Sequence, residues 1–178
     1  MRKILVVVDM QKDFVDGSLG TAEAEAILAN VRKKISSYPI ENVYATLDTH
    51  QENYQETQEG SFLPVKHCIE GSDGWLIHES IRDLMRGARI FTKPTFGSIH
   101  LCEALKEENE KEPIAIEVIG LCTDICVITN ALMLKAFMPE VPISLDETCC
   151  AGVTPARHQA ALETMRSCQI AVTGGENC

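Results

Sequence analysis

The chain has 178 residues, 45% of them apolar and 24% charged, and a formal net charge of −10 at pH 7. This length predicts a single domain, residues 1–178, with a sizeable core, and the negative charge argues against nucleic acid or an anionic membrane as a partner. The first apolar run, ILVVV, is too short for a secretory signal, and no segment approaches the ~18 apolar residues of a membrane span. We therefore expect a cytoplasmic protein.

Strands and helices are predicted to alternate along the chain. Continuous apolar, β-branched runs predict strands at 3–9, 41–48, 88–93, 113–120, 141–146 and 169–173. Helical periodicity predicts helices at 21–38, 75–85, 98–109, 123–137 and 155–168. The polar stretch 49–75 is long enough to be a functional loop or a lid. This alternation predicts an α/β protein whose parallel six-stranded sheet has helices on both faces and the strand order 3-2-1-4-5-6.

Ionisable residues stand where the predicted strands end. Asp9 closes the first strand, Asp48 closes the second and is followed by His50, Lys93 closes the third, and the turn 121–126 follows the fourth. Taken singly, each would be a turn former or a solvated surface residue. The carboxyl ends of parallel strands meet at one edge of the sheet, where ligands bind in this fold class. The set therefore predicts a functional site at that edge.

Two of the eight cysteines, Cys122 and Cys126, lie in the segment GLCTDICV (120–127). Their spacing allows a metal pair, a disulfide, or one nucleophilic thiolate beside an inert thiol. A reducing compartment disfavours the disulfide, and a metal pair would need further ligands. Thr123 is predicted to cap the following helix, whose N-terminus, together with Lys93, would lower the pKa of Cys126. Cys126 is therefore the better candidate for a nucleophile.

A nucleophilic thiolate needs a group that manages protons. Asp9 is the expected partner, because the first and fourth strands are predicted to be neighbours. Lys93 would then stabilise the charges of Asp9 and Cys126 or polarise the substrate. Backbone N–H groups of Cys122 and Cys126 are predicted to hold an oxyanion.

A second group of candidates lies after the second predicted strand. Asp48, His50 and His67 offer a carboxylate and two imidazoles, a set that suits Zn²⁺, Fe²⁺ or Mn²⁺ with open coordination positions. Glu59 is our choice among the nearby acidic residues for a fourth ligand. The alternative is a pair of histidines on a solvated loop.

Five stretches carry a resemblance to a known family: VVVDMQKDF (6–14), LDTH (47–50), LPVKHCIEGSDGW (63–75), TKPTFGS (92–98) and GLCTDICV (120–127). In this order they resemble the isochorismatase-like cysteine hydrolases, and among them the nicotinamidases most closely. The resemblance implies a three-layer α/β/α sandwich and a non-proline cis peptide at Leu121–Cys122. It implies a catalytic triad of Asp9, Lys93 and Cys126. It also implies a metal site at Asp48, His50 and His67.

The substrate region departs from the family pattern. The stretch QENYQETQEGSFLPVK is less aromatic than is usual before the second metal-binding histidine. Phe14, Phe96 and Trp75 are candidates to enclose a pyridine ring, although the two phenylalanines could equally belong to the core.

The resemblance implies an amidohydrolase that cleaves a small carboxamide, nicotinamide by preference, through a thioester. It would hold a divalent metal, with zinc the first choice, and form a homo-oligomer, a dimer or a tetramer. One alternative is hydrolysis of an N-carbamoyl or ureido compound. Others are a non-enzymatic binding module of the same fold and a redox protein that uses Cys122 and Cys126.

Overall fold

The structure, a computed structural model, describes residues 1–175. Its strands are β1 (Arg2–Val8), β2 (Val43–Asp48), β3 (Arg89–Lys93), β4 (Ile114–Leu121), β5 (Ile143–Ala151) and β6 (Ala171–Thr173). They form one sheet in the order β3-β2-β1-β4-β5-β6, and every neighbouring pair is parallel. Helices lie on both sides of this sheet. The predicted fold class and strand order are confirmed.

Within residues 1–175, eight α-helices accompany the sheet. They are α1 (Lys12–Val15), α2 (Ala22–Ala26), α3 (Leu28–Ser36), α4 (Gln58–Phe62), α5 (Glu79–Arg82), α6 (Ile99–Lys111), α7 (Ile128–Phe137) and α8 (Pro155–Ser167). Short 3₁₀ turns occupy Ile40–Asn42 and Tyr54–Glu56, and a π-helical turn occupies Thr123–Val127. None of the helices within residues 1–175 combines the length and apolar character that a membrane crossing requires.

Two predicted helices differ from the observed ones. The helix expected at 21–38 is α2 followed by α3, interrupted at Ile27. The helix expected at 75–85 is reduced to α5, because the preceding residues are held extended. Ile77 pairs with Gln11 in an isolated antiparallel bridge, and the His78 amide donates to the Met10 carbonyl at 3.0 Å. Tertiary pairing therefore overrides the local helical pattern.

Strand β5 runs to Ala151, five residues beyond its predicted end. The polar residues from Asp146 onward are typical of the end of a strand, but the folded chain supplies their side chains with partners. Asp146 pairs with Lys34 of α3 at 2.8 Å and accepts a hydrogen bond from the Thr148 amide at 3.0 Å. The pairing of β4 with β5 also shifts register between Val118 and Gly120, where the strand approaches the site.

The sheet is covered on both faces, which explains the continuous apolar pattern of β1. Residues 4–8 are each at most 1% exposed, and every residue of β2 is buried. At the end of β4, Gly120 has φ +122°, and a Cβ there would lie 2.1 Å from the Val8 carbonyl oxygen. Only glycine fits this close approach of β1 and β4. The expected cis peptide, Leu121–Cys122, follows directly.

Candidate active site

The structure brings Asp9, Lys93 and Cys126 together. Asp9 follows β1, Lys93 is the last residue of β3, and Cys126 lies in the π-helical turn after β4. The Lys93 Nζ lies 2.6 Å from Asp9 Oδ2 and 3.4 Å from Cys126 Sγ. The exposed fractions are 0% for Asp9, 1% for Lys93 and 5% for Cys126. Three ionisable groups thus meet at the predicted edge of the sheet with almost no contact with solvent.

Asp9 is fixed on both its backbone and its side chain. Its φ of 48° places a non-glycine residue in the left-handed region, a conformation that the surroundings must enforce. Its amide donates to the Thr46 carbonyl at 3.2 Å, and the Thr46 hydroxyl donates to Asp9 Oδ1 at 2.6 Å. The carboxylate therefore faces Lys93 in a single orientation.

The protonation of this cluster differs from the expectation for Cys126. Burial raises the pKa of the Cys126 thiol, the charge of Asp9 raises it further, and Lys93 only partly opposes them. Burial likewise raises the pKa of Asp9 against the opposing effect of Lys93. Burial alone would lower the pKa of Lys93, but Asp9, Cys126 and Asp48 together raise it. These shifts favour a protonated thiol beside a charged lysine, and Asp9 is placed to accept the thiol proton.

The turn that carries the nucleophile is also different from the prediction. An α-helix capped by Thr123 was expected, but Cys122 occupies the N-cap position and no side chain caps the turn. The Thr123 hydroxyl is instead engaged by His158 Nδ1 of α8, with which it shares a hydrogen bond of 2.8 Å. The predicted cap is wrong because a residue 35 positions away along the chain takes the capping group.

The π-helical turn changes which backbone amides are bonded. The Cys122 carbonyl accepts from the amides of Ile125 and Val127, each at 3.1 Å. In an α-helix this carbonyl would accept from Cys126 instead. The wider turn leaves the Cys126 N–H outside that bond, so it can bind an oxyanion at the start of the helix.

Asn130 is a residue that sequence reasoning missed. It is fully buried in α7, and its Nδ2 donates to the carbonyls of Cys126 at 2.8 Å and Phe96 at 3.1 Å. Its Oδ1 accepts from the Ser98 amide at 3.0 Å. Asn130 thus ties the nucleophile turn to the loop after β3. The signal in the sequence is a lone asparagine in the apolar helix ITNALMLKAF.

The four predicted metal ligands also meet. One donor atom from each of Asp48, His50, Glu59 and His67 lies within 4.8 Å of the others. Asp48 Oδ2 is 2.9 Å from His50 Nε2 and 3.5 Å from His67 Nε2, and Glu59 Oε1 is 3.7 and 3.8 Å from the same two nitrogens. Helix α4 positions Glu59 over the histidines.

Two observations indicate that this cluster fits a metal ion. The buried His50 Nε2 lies close to Asp48 yet has no hydrogen bond of acceptable geometry. His67 donates from Nδ1 to the Val65 carbonyl at 2.9 Å, so its Nε2 lone pair is directed at the cluster. Two imidazole nitrogens and two carboxylates form a ligand set for Zn²⁺, Fe²⁺ or Mn²⁺.

Gln11 and Trp75 form hydrogen bonds that fix the start of the loop that carries these ligands. The buried Gln11 side chain donates to the carbonyls of Asp48 at 2.9 Å and Trp75 at 2.8 Å, and accepts from the Asp48 amide at 2.7 Å. The Trp75 indole donates to the Thr49 hydroxyl at 2.9 Å. The sequence did not single out Gln11, and Trp75 lies outside the lining of the cavity it was predicted to form.

A cavity of about 300 Å³ opens onto both clusters. Cys122, Cys126, Asp48, Glu59 and His67 line it. Its apolar walls are Phe14, Leu19, Leu63, Phe96, Leu121, Ile125 and Val153. A larger groove, of about 550 Å³, lies near the amino ends of β4 and β5, but neither cluster lines it. The smaller cavity is therefore the candidate substrate site.

The two phenylalanines predicted to contact substrate both line this cavity. Phe14 is nearly buried, and its ring centroid is 5.5 Å from that of His67. Phe96 is 42% exposed. The cavity therefore places an aromatic face beside the candidate metal ligands and another at its open side.

Comparison with known proteins agrees with the resemblance found in the sequence. The chain is 28% identical to the nicotinamidase/pyrazinamidase of Mycobacterium tuberculosis, over 94% of this chain and 96% of that protein. A structure of the pyrazinamidase of Pyrococcus horikoshii in complex with zinc has a TM-score of 0.83 at 25% identity and covers 98% of this chain and 100% of its own.

The N-carbamoylsarcosine amidase of Thermoplasma acidophilum shares the fold, with a TM-score of 0.78 at 24% identity, covering 100% of this chain and 99% of its own. The model of the isochorismatase domain family matches residues 3–177. This chain belongs to the isochorismatase domain family.

Proposed function

We propose that this protein is a cysteine-dependent amidohydrolase that cleaves the C–N bond of a small carboxamide, with nicotinamide as the preferred substrate. The observation that carries the proposal is the Lys93 ammonium, 2.6 Å from Asp9 and 3.4 Å from Cys126, beside an enclosed apolar cavity. The amidases among the relatives support a hydrolase that acts on carbon–nitrogen bonds.

The first step transfers the thiol proton of Cys126 to Asp9 as the sulfur attacks the carbonyl carbon of the amide. The carbonyl oxygen becomes an oxyanion, which the backbone N–H groups of Cys122 and Cys126 bind. The raised pKa of Asp9 suits a carboxylate that must take up a proton in a site closed to water. Lys93 stabilises the charge that passes between Asp9 and the sulfur.

The second step returns that proton. When the tetrahedral intermediate collapses, the C–N bond breaks and Asp9 protonates the leaving nitrogen, which departs as ammonia. The acyl group remains on Cys126 as a thioester. A water molecule then attacks the thioester carbonyl and gives a proton to Asp9, and this proton returns to the sulfur as the carboxylic acid is released.

Asp48, His50, Glu59 and His67 would hold the divalent cation, with zinc as the first choice and iron or manganese as alternatives. When bound, the cation would supply a Lewis-acidic position for a ring nitrogen of the substrate. Phe14 and Phe96 would lie against the ring. The zinc complex of the Pyrococcus horikoshii pyrazinamidase supports a divalent metal at this site.

Ammonia release across a panel of small amides that includes nicotinamide tests the proposal. Cys126→Ala should abolish release while circular dichroism and the unfolding midpoint remain near those of the wild-type protein. Cys168→Ala, at the far end of α8, is the matched cysteine control and should retain turnover. Turnover by the Cys126→Ala protein would exclude Cys126 as the nucleophile.

Hydrolysis of an N-carbamoyl or ureido compound is the second candidate, and the shared fold of the N-carbamoylsarcosine amidase supports it. The same amide panel separates the two by the ratio of their kcat/KM values. A non-enzymatic binding module would release ammonia from no member of the panel, and iodoacetamide would not label Cys126 selectively. The expected dimer or tetramer stays a prediction, which light scattering on the purified protein would test.

A further inference from the structure

His158 of α8 engages the hydroxyl that the sequence predicts as a helix cap. Its Nδ1 lies 2.8 Å from the hydroxyl oxygen of Thr123, a residue that is fully buried. His158 itself is half-buried, and its amide donates to the Thr154 carbonyl at 2.9 Å in the first turn of α8. Neither His158 nor Thr123 lines the cavity. The pair therefore contacts the nucleophile turn without forming part of the substrate site.

Two further contacts join the start of α8 to the same turn. Asp124 Oδ1 accepts a hydrogen bond from the Val153 amide at 2.9 Å. A Cβ on Gly152 would lie 2.9 Å from Asp124 Oδ1 and 2.9 Å from the His158 amide nitrogen, so glycine permits this close approach. The position of His158 relative to the turn is therefore fixed by backbone packing as well as by its own hydrogen bond.

The segment TDIC (123–126) can adopt two arrangements that differ at the Cys126 amide. If Thr123 capped an α-helix, its hydroxyl would accept from the amide two or three positions later, and the third is that of Cys126. In the observed π-helical turn, Cys122 is the N-cap instead, and its carbonyl bypasses the Cys126 amide. The capped arrangement would occupy the Cys126 N–H, whereas the observed one leaves it available to an oxyanion.

The Thr123 hydroxyl distinguishes the two arrangements, because the α-helical one uses it as a cap. A π-helical turn is rare, so its surroundings must favour it over the α-helical form. We infer that His158 is a positioning residue: by holding the Thr123 hydroxyl against α8, it keeps the turn π-helical and the Cys126 N–H free for the oxyanion. The inference rests on the proposed amidase reaction and adds a residue that sets its rate.

The test removes the imidazole, the hydroxyl, or both. His158→Leu frees the Thr123 hydroxyl to cap the turn, and Thr123→Val removes that hydroxyl at nearly the same volume. His158→Asn keeps a polar atom near the position of Nδ1, and His100→Leu, which removes an exposed histidine of α6, is the matched control. The measurements are kcat and KM for ammonia release by each variant and by the double variant.

The expected loss is in kcat. His158→Leu should lower kcat by at least about tenfold, since complete loss of one oxyanion donor costs about 100- to 1,000-fold. KM should change little, because the oxyanion forms only in the transition state. His158→Asn and His100→Leu should stay near the wild-type kcat. Thr123→Val should retain most of it, because no capping hydroxyl remains to bind the Cys126 amide, and the double variant should recover what His158→Leu loses.

This recovery separates positioning of the amide from simple support of the fold. If the bond between His158 and Thr123 only stabilised the protein, Thr123→Val would lose as much kcat as His158→Leu, and the double variant would be no faster than either. That result would overturn the inference, and so would a wild-type kcat in the His158→Leu protein. If the leucine variant does not fold, His158→Gln, whose amide extends beyond the Nδ1 position, takes its place in the same comparison.

Nuclear magnetic resonance tests the inference even if the wild-type protein releases ammonia from no amide, a result that would refute the proposed function. Isotope-labelled cysteine gives a signal for the Cys126 amide, which is identified by its loss in the Cys126→Ala protein. His158→Leu should move this amide proton downfield and reduce its temperature dependence, as expected when the N–H becomes hydrogen-bonded. Added Thr123→Val should reverse both changes. A signal that His158→Leu leaves in place, or that Thr123→Val does not restore, would overturn the inference.

Discussion

The buried ammonium of Lys93 provides a quantitative test of the site. Lys93→Met keeps an unbranched side chain, one atom shorter, but leaves Asp9 and Asp48 without their cation. Coulomb's law at an effective dielectric constant of about 20 gives roughly 6 kcal/mol for the 2.6 Å contact with Asp9 and roughly 5 kcal/mol for the 3.2 Å contact with Asp48. Relief of the desolvation of Lys93 offsets much of this, so we expect the free energy of unfolding to fall by about 3–5 kcal/mol near neutral pH.

The loss should depend on pH in a defined direction. Burial raises the pKa of Asp9, and the charge of Lys93 opposes that rise. Removing the Lys93 ammonium should therefore raise the pKa of Asp9 further. A carboxyl group with a raised pKa in the folded protein binds a proton more readily there than in the unfolded chain. Its protonation therefore stabilises the folded state as the pH falls toward that pKa. The Lys93→Met protein should be less destabilised near pH 5.5 than near pH 8.

Urea unfolding in the presence of a chelator measures this without a contribution from bound metal. Lys106→Met, on the exposed face of α6, is the matched control and should change stability little. Adding Asp9→Asn to Lys93→Met removes one unpaired carboxylate, so the double variant should lose less than the sum of the single losses. A loss below about 1 kcal/mol, or an equal loss at both pH values, would refute the reasoning.

Three further variants test the surroundings of the site. Gly120→Ala places a Cβ 2.1 Å from the Val8 carbonyl oxygen, and we expect an insoluble protein or a loss of about 4 kcal/mol or more in urea unfolding; near wild-type stability would contradict the close approach of β1 and β4. Asn130→Ala leaves three backbone groups without their partner, two of them in buried bonds, and should lower the free energy of unfolding by about 1–3 kcal/mol and reduce kcat. Unchanged stability and kcat would show that these bonds do not position the nucleophile turn. Glu59→Gln should weaken zinc binding by at least about tenfold in a competition titration, whereas the exposed Glu56→Gln should not; equal affinity in both would remove Glu59 from the ligand set.

The convergence of Asp9, Lys93 and Cys126 could be anticipated from sequence because it depends on local patterns. Each residue closes a strand or lies in the turn that follows one, and parallel strands bring their carboxyl ends to one edge. The metal ligands could be predicted from the sequence for a related reason. Asp48 is the last residue of β2 and His50 follows two positions later, and the residue types of the set are those that a transition metal prefers.

Other features depend on partners that are distant in the chain. The engagement of Thr123 by His158 spans 35 positions, and the bond between Gln11 and Asp48 spans 37. Asn130 connects the turn after β4 with the loop after β3, a link that no local pattern encodes. These contacts determine the shape of the nucleophile turn and the orientation of the ligand loop.

The sequence by itself determined the order of the strands, the edge of the sheet where the chemistry lies and the residues that meet there. Apolar periodicity and strand-end residues are properties of neighbouring positions, so they can be read along the chain. Only the tertiary structure decided that burial and Asp9 raise the pKa of the Cys126 thiol, that a π-helical turn precedes α7 and that Arg157 is among the residues lining the cavity. Burial, charge separation and hydrogen-bond competition depend on distances in space, and those exist only once the chain has folded.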